Sequence, residues 1–412
     1  MIDAGTPIDV AVIGAGPSGL AAAIALKQAG VGRVVVLERE PQAGGIPRHC
    51  SHPPYGLHEF GRLLKGPEYA ARVVASARKA DVEIHVATTV TSIHSDGQLR
   101  LSTPEGVCEI TPRRVIYATG VRETPRSARL ISGARVQGVV NTGALQSMIY
   151  LKHRRPFRRP VIIGTELVAF SALLTCQSAG MRPIAMIEAE AVATARWPSA
   201  LYPRMRGVEL LTNTRLVEIE GDTIVQAVTV ADVDGQTRRI ECDGVILTGG
   251  FTPEVALARC GHLDVDPATG GPVVDQWGRC SDPAYFATGN VLRPVETAGR
   301  SWAEGRQTGE WVAQDLAAKL LSHDAKPLRI LLGDARLKYA MPQLIYPSNS
   351  AGGMSGIQMR VRERVSGTLI ARMQGKPVWQ RRLNTRPERR IAVPIGEIIS
   401  QAAADYVEFT IE

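Results

Sequence analysis

Between Ile8 and Glu38 the chain runs through an apolar strand, three spaced glycines, an alanine-rich helix and a second strand, and no other stretch limits the fold so tightly. Ile8 to Ile13 is largely β-branched and apolar, which suits a strand covered on both faces of a parallel sheet. It leads directly into Gly14-Ala15-Gly16-Pro17-Ser18-Gly19. Each glycine there has its own task. Gly14 allows the tight turn, Gly16 lets a pyrophosphate approach the backbone, and Gly19 lets the helix pack close to the strand. Gly30 ends the helix, Arg33 to Leu37 forms the next strand, and Glu38 stands where a carboxylate accepts two ribose hydroxyls. A lone G-x-G-x-x-G carries little weight. With strand, helix, second strand and terminal acid all present, it specifies a nucleotide-binding βαβ unit.

The same plan recurs at 159–190, "RPVIIGTELVAFSALLTCQSAGMRPIAMIEAE", but altered. Val161 to Ile163 is the strand and Gly164 the first glycine; Glu166 replaces the second glycine and Ala169 the third. A carboxylate about 4–5 Å from a phosphate costs about 3–4 kcal/mol at an effective dielectric of about 20. Glu188, ending the next strand, keeps the position for a ribose. The expectation is a degenerate NAD(P)-type domain that serves as scaffold and turns over no pyridine nucleotide.

Composition narrows the class. A chain of 412 residues, 44% of them hydrophobic, has room for two or three domains with their own cores. No apolar run reaches the length of about 18 residues that a membrane span needs, and the first residues do not read as a secretion signal, so a cytoplasmic protein without an integral span is expected. Six cysteines are scattered without a C-x-x-C pair, which argues against a disulfide framework, a zinc knuckle or an iron–sulfur cluster held by this chain. The net charge of +8 is uneven: residues 327–412 carry 13 Lys/Arg against 7 Asp/Glu. Basic residues interleaved with strand-like ones describe a solvated face or a docking surface rather than a nucleic-acid site.

Gly44-Gly45 follows Glu38, and "VIYATG" (115–120) and "AYFATGN" (284–290) are short apolar strands ending in small residues. This set resembles the FAD domain of the flavoproteins built from two dinucleotide-binding domains. In that resemblance Ala118, Thr119 and Gly120 mark the exit from the FAD domain, and Gly289 and Asn290 its return near the flavin, with Asn290 in place of the usual Asp. "GGIPRHCSHPPYG" (44–56), "FGRLLKGPEYA" (60–70) and "GNVLRPVETAG" (289–299) narrow it further. Over about residues 7–322 the chain resembles the FAD subunit of opine oxidases, hydrogen cyanide synthase and dye-linked proline or hydroxyproline dehydrogenases.

The resemblance implies an α/β fold of two Rossmann-like three-layer domains: an FAD-binding domain from 1–125 and 276–326, and a degenerate NAD(P)-type domain from 126–275. Residues 327–412 lack the cysteines of the family's [2Fe–2S] segment, and their short strand-like runs suggest a small antiparallel β-rich domain. The implied cofactor is FAD, held by Gly14, Gly16, Gly19, Glu38, Gly45, Ala118, Thr119, Gly120, Gly289, Asn290, Thr297 and Ala298. Thr297 and Ala298 open a helix whose dipole favours negative charge on a reduced flavin. The implied partners are a dehydrogenase subunit containing its own FAD and an iron–sulfur protein. The chain would pass electrons between that partner flavoprotein, which oxidises an amine, imino acid or opine, and an acceptor; the alternatives are a self-sufficient NAD(P)H-dependent flavin reductase and a non-redox assembly subunit. Cys50 and His52 are the candidate catalytic residues. His49 and His52 flank Cys50, but no second ligand pair follows, and no metal site is expected.

Overall fold

The structure, a computed structural model, describes residues 2, 5–195, 198–320, 326–347, 352–399 and 404–412. A first parallel sheet holds β1 (Val10–Ile13), β2 (Val34–Leu37), β3 (Glu83–His85) and β4 (Arg114–Tyr117), with helices α1 (Pro17–Gln28) and α2 (Gly66–Lys79) between them. A second holds β5 (Val139–Asn141), β6 (Pro160–Ile163), β7 (Ala185–Ile187), β8 (Glu209–Leu211) and β9 (Gly244–Leu247), with α3 (Thr142–Gln146) and α4 (Leu167–Ser178). The chain then returns to the first sheet as β10 (Tyr285–Ala287) and continues into α5 (Ala298–Leu316). The strand orders are β10-β4-β1-β2-β3 and β5-β9-β6-β7-β8. All four side chains of β1 and of β2 are buried, as expected of a doubly covered parallel sheet.

The two sheets are copies of one plan down to single hydrogen bonds. Gly14 N–H donates to Leu37 and Gly164 N–H to Ile187, each at 2.8 Å. Glu38 N–H donates to His85 and Glu188 N–H to Leu211, again at 2.8 Å. Two antiparallel ribbons are inserted, Thr89–Ile93 with Leu99–Thr103 and Gly106–Ile110 in the first unit, and Arg215–Glu220 with Ala227–Ala231 and Thr237–Glu241 in the second.

Helices α1 and α5 pack closely because α5 offers glycine at the contact. A Cβ on Gly305 would overlap the Ser18 carbonyl, and one on Gly309 the Ala22 carbonyl. The returning segment is thereby pressed onto the helix that starts the nucleotide turn.

Beyond residue 327 lie β11 (Leu328–Leu332), β12 (Leu337–Met341), β13 (Gly356–Val361), β14 (Val365–Met373), β15 (Lys376–Thr385), β16 (Ile391–Pro394) and β17 (Tyr406–Ile411). They form two sheets over a core that includes Ile357, Leu369, Val393, Val407 and Phe409. The expected all-antiparallel arrangement is corrected at one pair: β11 runs parallel to β17. Some seventy residues separate these strands, enough chain for a re-entry in the same direction. The expected end of the family resemblance at 322 falls at residues 321–325, outside the described residues. No helix among the described residues is long and apolar enough to cross a membrane.

Candidate functional site

The first turn separates its glycines by role. Gly14 has φ +107°, and a Cβ there would lie 2.6 Å from the Ala118 carbonyl oxygen; a Cβ on Gly19 would overlap the Gly14 carbonyl. The packing of the protein itself requires both. Gly16 differs, since a Cβ on it meets no atom within 4 Å. Space is kept clear beside Gly16. Gly45 (φ +63°) brings the next loop against it, with a Cβ position 2.8 Å from the Gly16 Cα. Gly16 is the N-cap of α1 and no side chain caps the helix, so first-turn N–H groups and the positive end of the dipole face this space.

Glu38 closes one end. Its Oε2 accepts the Ala15 N–H and its Oε1 the Glu40 N–H, each at 2.9 Å, and the residue is 7% exposed. A cleared anion cradle with a fixed carboxylate at its edge fits the phosphates and a ribose of a dinucleotide.

Other sequence-selected residues gather around the same turn. Ala118, at the end of β4, donates its N–H to Ile13 at 3.0 Å, and Thr119 Oγ1 donates to the Glu254 carbonyl at 2.7 Å. Gly289 (φ +75°) lies against Ser18, so β10 does return to the head of α1. Asn290 closes its own loop: its Nδ2 donates to the Glu296 carbonyl at 3.1 Å, and its Oδ1 accepts the Glu296 N–H at 2.8 Å. Thr297 is the exposed N-cap of α5, and Ala298 packs at the edge of the first core.

In the second turn the cradle is filled from within. The Glu166 side chain bends back so that its carboxyl lies over Gly164 and Gly249, where Cβ atoms would collide with it, and its Oε1 accepts the Thr248 hydroxyl at 2.9 Å. Burial holds this carboxyl above the usual carboxylate range, and neighbouring Glu188 pushes the same way; its own N–H, the Thr248 hydroxyl and Arg129 pull against them. Obstruction is therefore bodily first and electrostatic second, an order that charge repulsion alone does not give. Arg129 closes the other side, donating to the carbonyls of Thr248 at 2.8 Å and Gly249 at 2.5 Å. Glu188 accepts the Thr165 hydroxyl and the Glu190 N–H.

A family model described as pyridine nucleotide-disulphide oxidoreductase matches residues 8–309. The chain belongs to this family. Pyridine nucleotide-disulphide oxidoreductases are FAD-dependent oxidoreductases. Among curated relatives, the chain is 26% identical over 275 residues to the alpha subunit of sarcosine oxidase from Corynebacterium sp. strain P-1. It is 27% identical over 274 residues to an opine oxidase subunit from Rhizobium meliloti. These matches cover 60% and 61% of this chain but 27% and 58% of those proteins. Among solved structures, T. acidophilum thioredoxin reductase superposes with a TM-score of 0.64 at 22% identity, over 75% of this chain and 98% of that one. L-proline dehydrogenase from P. horikoshii gives 0.56 at 18%, over 76% and 56%. At these identities the structures establish the shared fold.

This pyridine nucleotide-disulphide oxidoreductase has no disulfide among its described residues. Cys50 is 5% exposed, and burial pushes its thiol up to about 11. Its Sγ donates to Gln146 Oε1 at 3.3 Å. Gln146 Nε2 in turn donates to Ser171 Oγ at 2.7 Å, and Ser171 Oγ lies 2.5 Å from His52 Nε2. Cys50 and His52 therefore tie the loop after Gly45 to α3 and α4 of the second unit. The neighbouring His49 imidazole is pushed down to about 4, by burial first and Arg48 second. Gln146, Ser171 and Arg129 carried no signal in the sequence, because their partners lie in remote segments with no shared periodicity.

Proposed function

We propose that the chain is the FAD-carrying subunit of an oxidoreductase complex in which a partner flavoprotein oxidises an amine, imino acid or opine and electrons pass between that partner and an acceptor. One observation carries the reading: Glu166 fills the second nucleotide turn while Gly16 leaves the first one open. Two relatives named as subunits of sarcosine and opine oxidases support it.

In this reading residues 1–125 and 276–326 form the FAD-binding domain and 126–275 the degenerate NAD(P)-type domain. Gly14, Gly16, Gly19 and Gly45 frame the pyrophosphate, and Glu38 takes the adenosine ribose. Ala118, Thr119, Gly120, Gly289 and Asn290 border the remainder of FAD, while Thr297 and Ala298 present the positive end of α5 to the pyrimidine ring. When bound, FAD accepts and releases a pair of electrons. The protein's contribution is to hold it, shape its surroundings and deny a pyridine nucleotide the second cleft.

Anaerobic mixing tests the assignment. Flavin bleached by an amine, imino acid or opine only when the partner flavoprotein is present supports it. Rapid bleaching by NADH or NADPH alone would establish the self-sufficient reductase instead, and no bleaching under any donor would leave an assembly role.

A further inference from the structure

Arg360 of β13 is 4% exposed, and its guanidinium reaches out of its own sheet. Nη2 donates to the Val295 carbonyl at 2.8 Å and to Glu296 Oε1 at 3.2 Å; Nη1 donates to Glu388 Oε2 at 2.6 Å and, more weakly, to the Pro294 carbonyl at 3.4 Å. Tyr339 OH donates to the same Pro294 carbonyl at 3.4 Å. A second arginine works from within the loop. Arg293 is wholly buried, paired with both oxygens of Glu304, and donates to the Gly289 carbonyl at 3.1 Å and to Gln358 Oε1 of β13 at 3.0 Å. Carbonyls 289, 294 and 295 are thus gripped by guanidinium groups, immediately before the N-cap of α5.

Buried guanidinium groups are costly to desolvate and are held by the hydrogen bonds they make; in Arg360 both Nη atoms are bonded, and Nε has no partner among the described residues. Simple packing of a β-sheet on a loop would be met more cheaply by apolar residues. Here carboxylates balance the charge, and the remaining acceptors include three main-chain carbonyls of one short segment, so those bonds fix the path of the chain.

We propose that Arg360 is a positioning residue through which the C-terminal sheets hold loop 289–297, and with it the first turn of α5, in the geometry that FAD requires. The inference rests on the FAD reading above. It gives residues 327–412 an internal task, a brace on the flavin side of the molecule.

The test compares wild type with Arg360→Ala and Arg360→Lys in the full chain, using hydrogen exchange of the flavin-free proteins, FAD titration and the midpoint potential of the bound flavin. In Arg360→Ala, exchange should rise across 289–300 and stay unchanged at 14–19. FAD should bind about 10- to 100-fold more weakly, as expected for lost hydrogen bonds to a charged group. The potential should fall, because a displaced helix terminus stabilises the reduced flavin less. Should the alanine variant lose its cooperative unfolding transition, Arg360→Lys, which keeps the charge without the fork, carries the same expectations. Unchanged exchange at 289–300, or raised exchange with unmoved affinity and potential, overturns the proposal. Wild-type protein that cannot be loaded with FAD defeats the cofactor reading instead, and exchange alone then decides whether Arg360 grips the loop.

Discussion

Glu166 stands in the second turn where Gly16 stands in the first, and the two put opposite things beside matching backbone. A carboxyl lies across Gly164 and Gly249, whereas the space beside Gly16 is clear. If electrons arrive from a partner chain, a working pyridine-nucleotide cleft would compete for the same flavin. A filled cleft removes that competition and keeps the domain.

Gly16 and Gly19 of the first turn should separate by experiment. Gly16→Asp is expected to unfold with a transition like wild type but to bind FAD at least about 100-fold more weakly, since it sets a carboxylate in the phosphate cradle. Gly19→Ala forces a methyl against the Gly14 carbonyl and should cost about 1–3 kcal/mol of stability. Urea unfolding and FAD titration of both variants check this, and a Gly16→Asp protein that stays yellow would contradict it.

Emptying the second cleft should restore nucleotide binding. Glu166→Gly is expected to bind NADH or NADPH about 10- to 1000-fold more tightly than wild type. Glu166 is the N-cap of α4, a position where glycine is tolerated, so stability should change little. Calorimetric titration measures the gain; equal affinities in the two proteins would show that the carboxyl does not obstruct.

The same carboxyl should leave a mark on stability against pH. Its folded pKa lies above the ordinary 4.5, so Glu166 favours the folded state fully only below that value, and the benefit is lost as pH rises from 4.5 through its raised folded value. Glu166→Gln cannot ionise and should lose less stability than wild type across that window. Denaturant unfolding at a series of pH values gives the comparison.

Cysteine labelling tests the structural reading of Cys50. With its thiol pushed up to about 11 and buried, Cys50 should resist alkylation at pH 8 in the native protein, while exposed Cys260 reacts readily. Peptide mapping after iodoacetamide treatment distinguishes them. Fast native labelling at Cys50 would reopen a redox role for it.

The nucleotide turns were legible because each demands particular residues at fixed spacing: Gly14, Gly19 and Glu38 are needed by local backbone geometry, and so are Gly164 and Glu188. Strand runs beyond 327 were legible from composition, whereas the parallel pairing of β11 with β17 was not, since it depends on where the chain re-enters the sheet. Position 166 could be read as damaged, but the inward bend of Glu166 depends on Thr248 and Arg129, which meet it only after folding. Cys50 and His52 drew notice by residue type and place in the chain; their partners Gln146 and Ser171 sit on helices of another unit. The sequence suggests Asn290 as a cofactor contact; its bonds to Glu296 show that it shapes its own loop.

The glycines of α5 carry a consequence for biosynthesis. The first turn is made almost three hundred residues before the helix that covers it through Gly305 and Gly309. A nascent chain therefore carries an uncovered half-site throughout the translation of the whole second unit. If this turn holds FAD as proposed, cofactor loading is a late event coupled to docking of α5, and a message truncated before that helix should yield a colourless product even though every residue of the glycine motif is present.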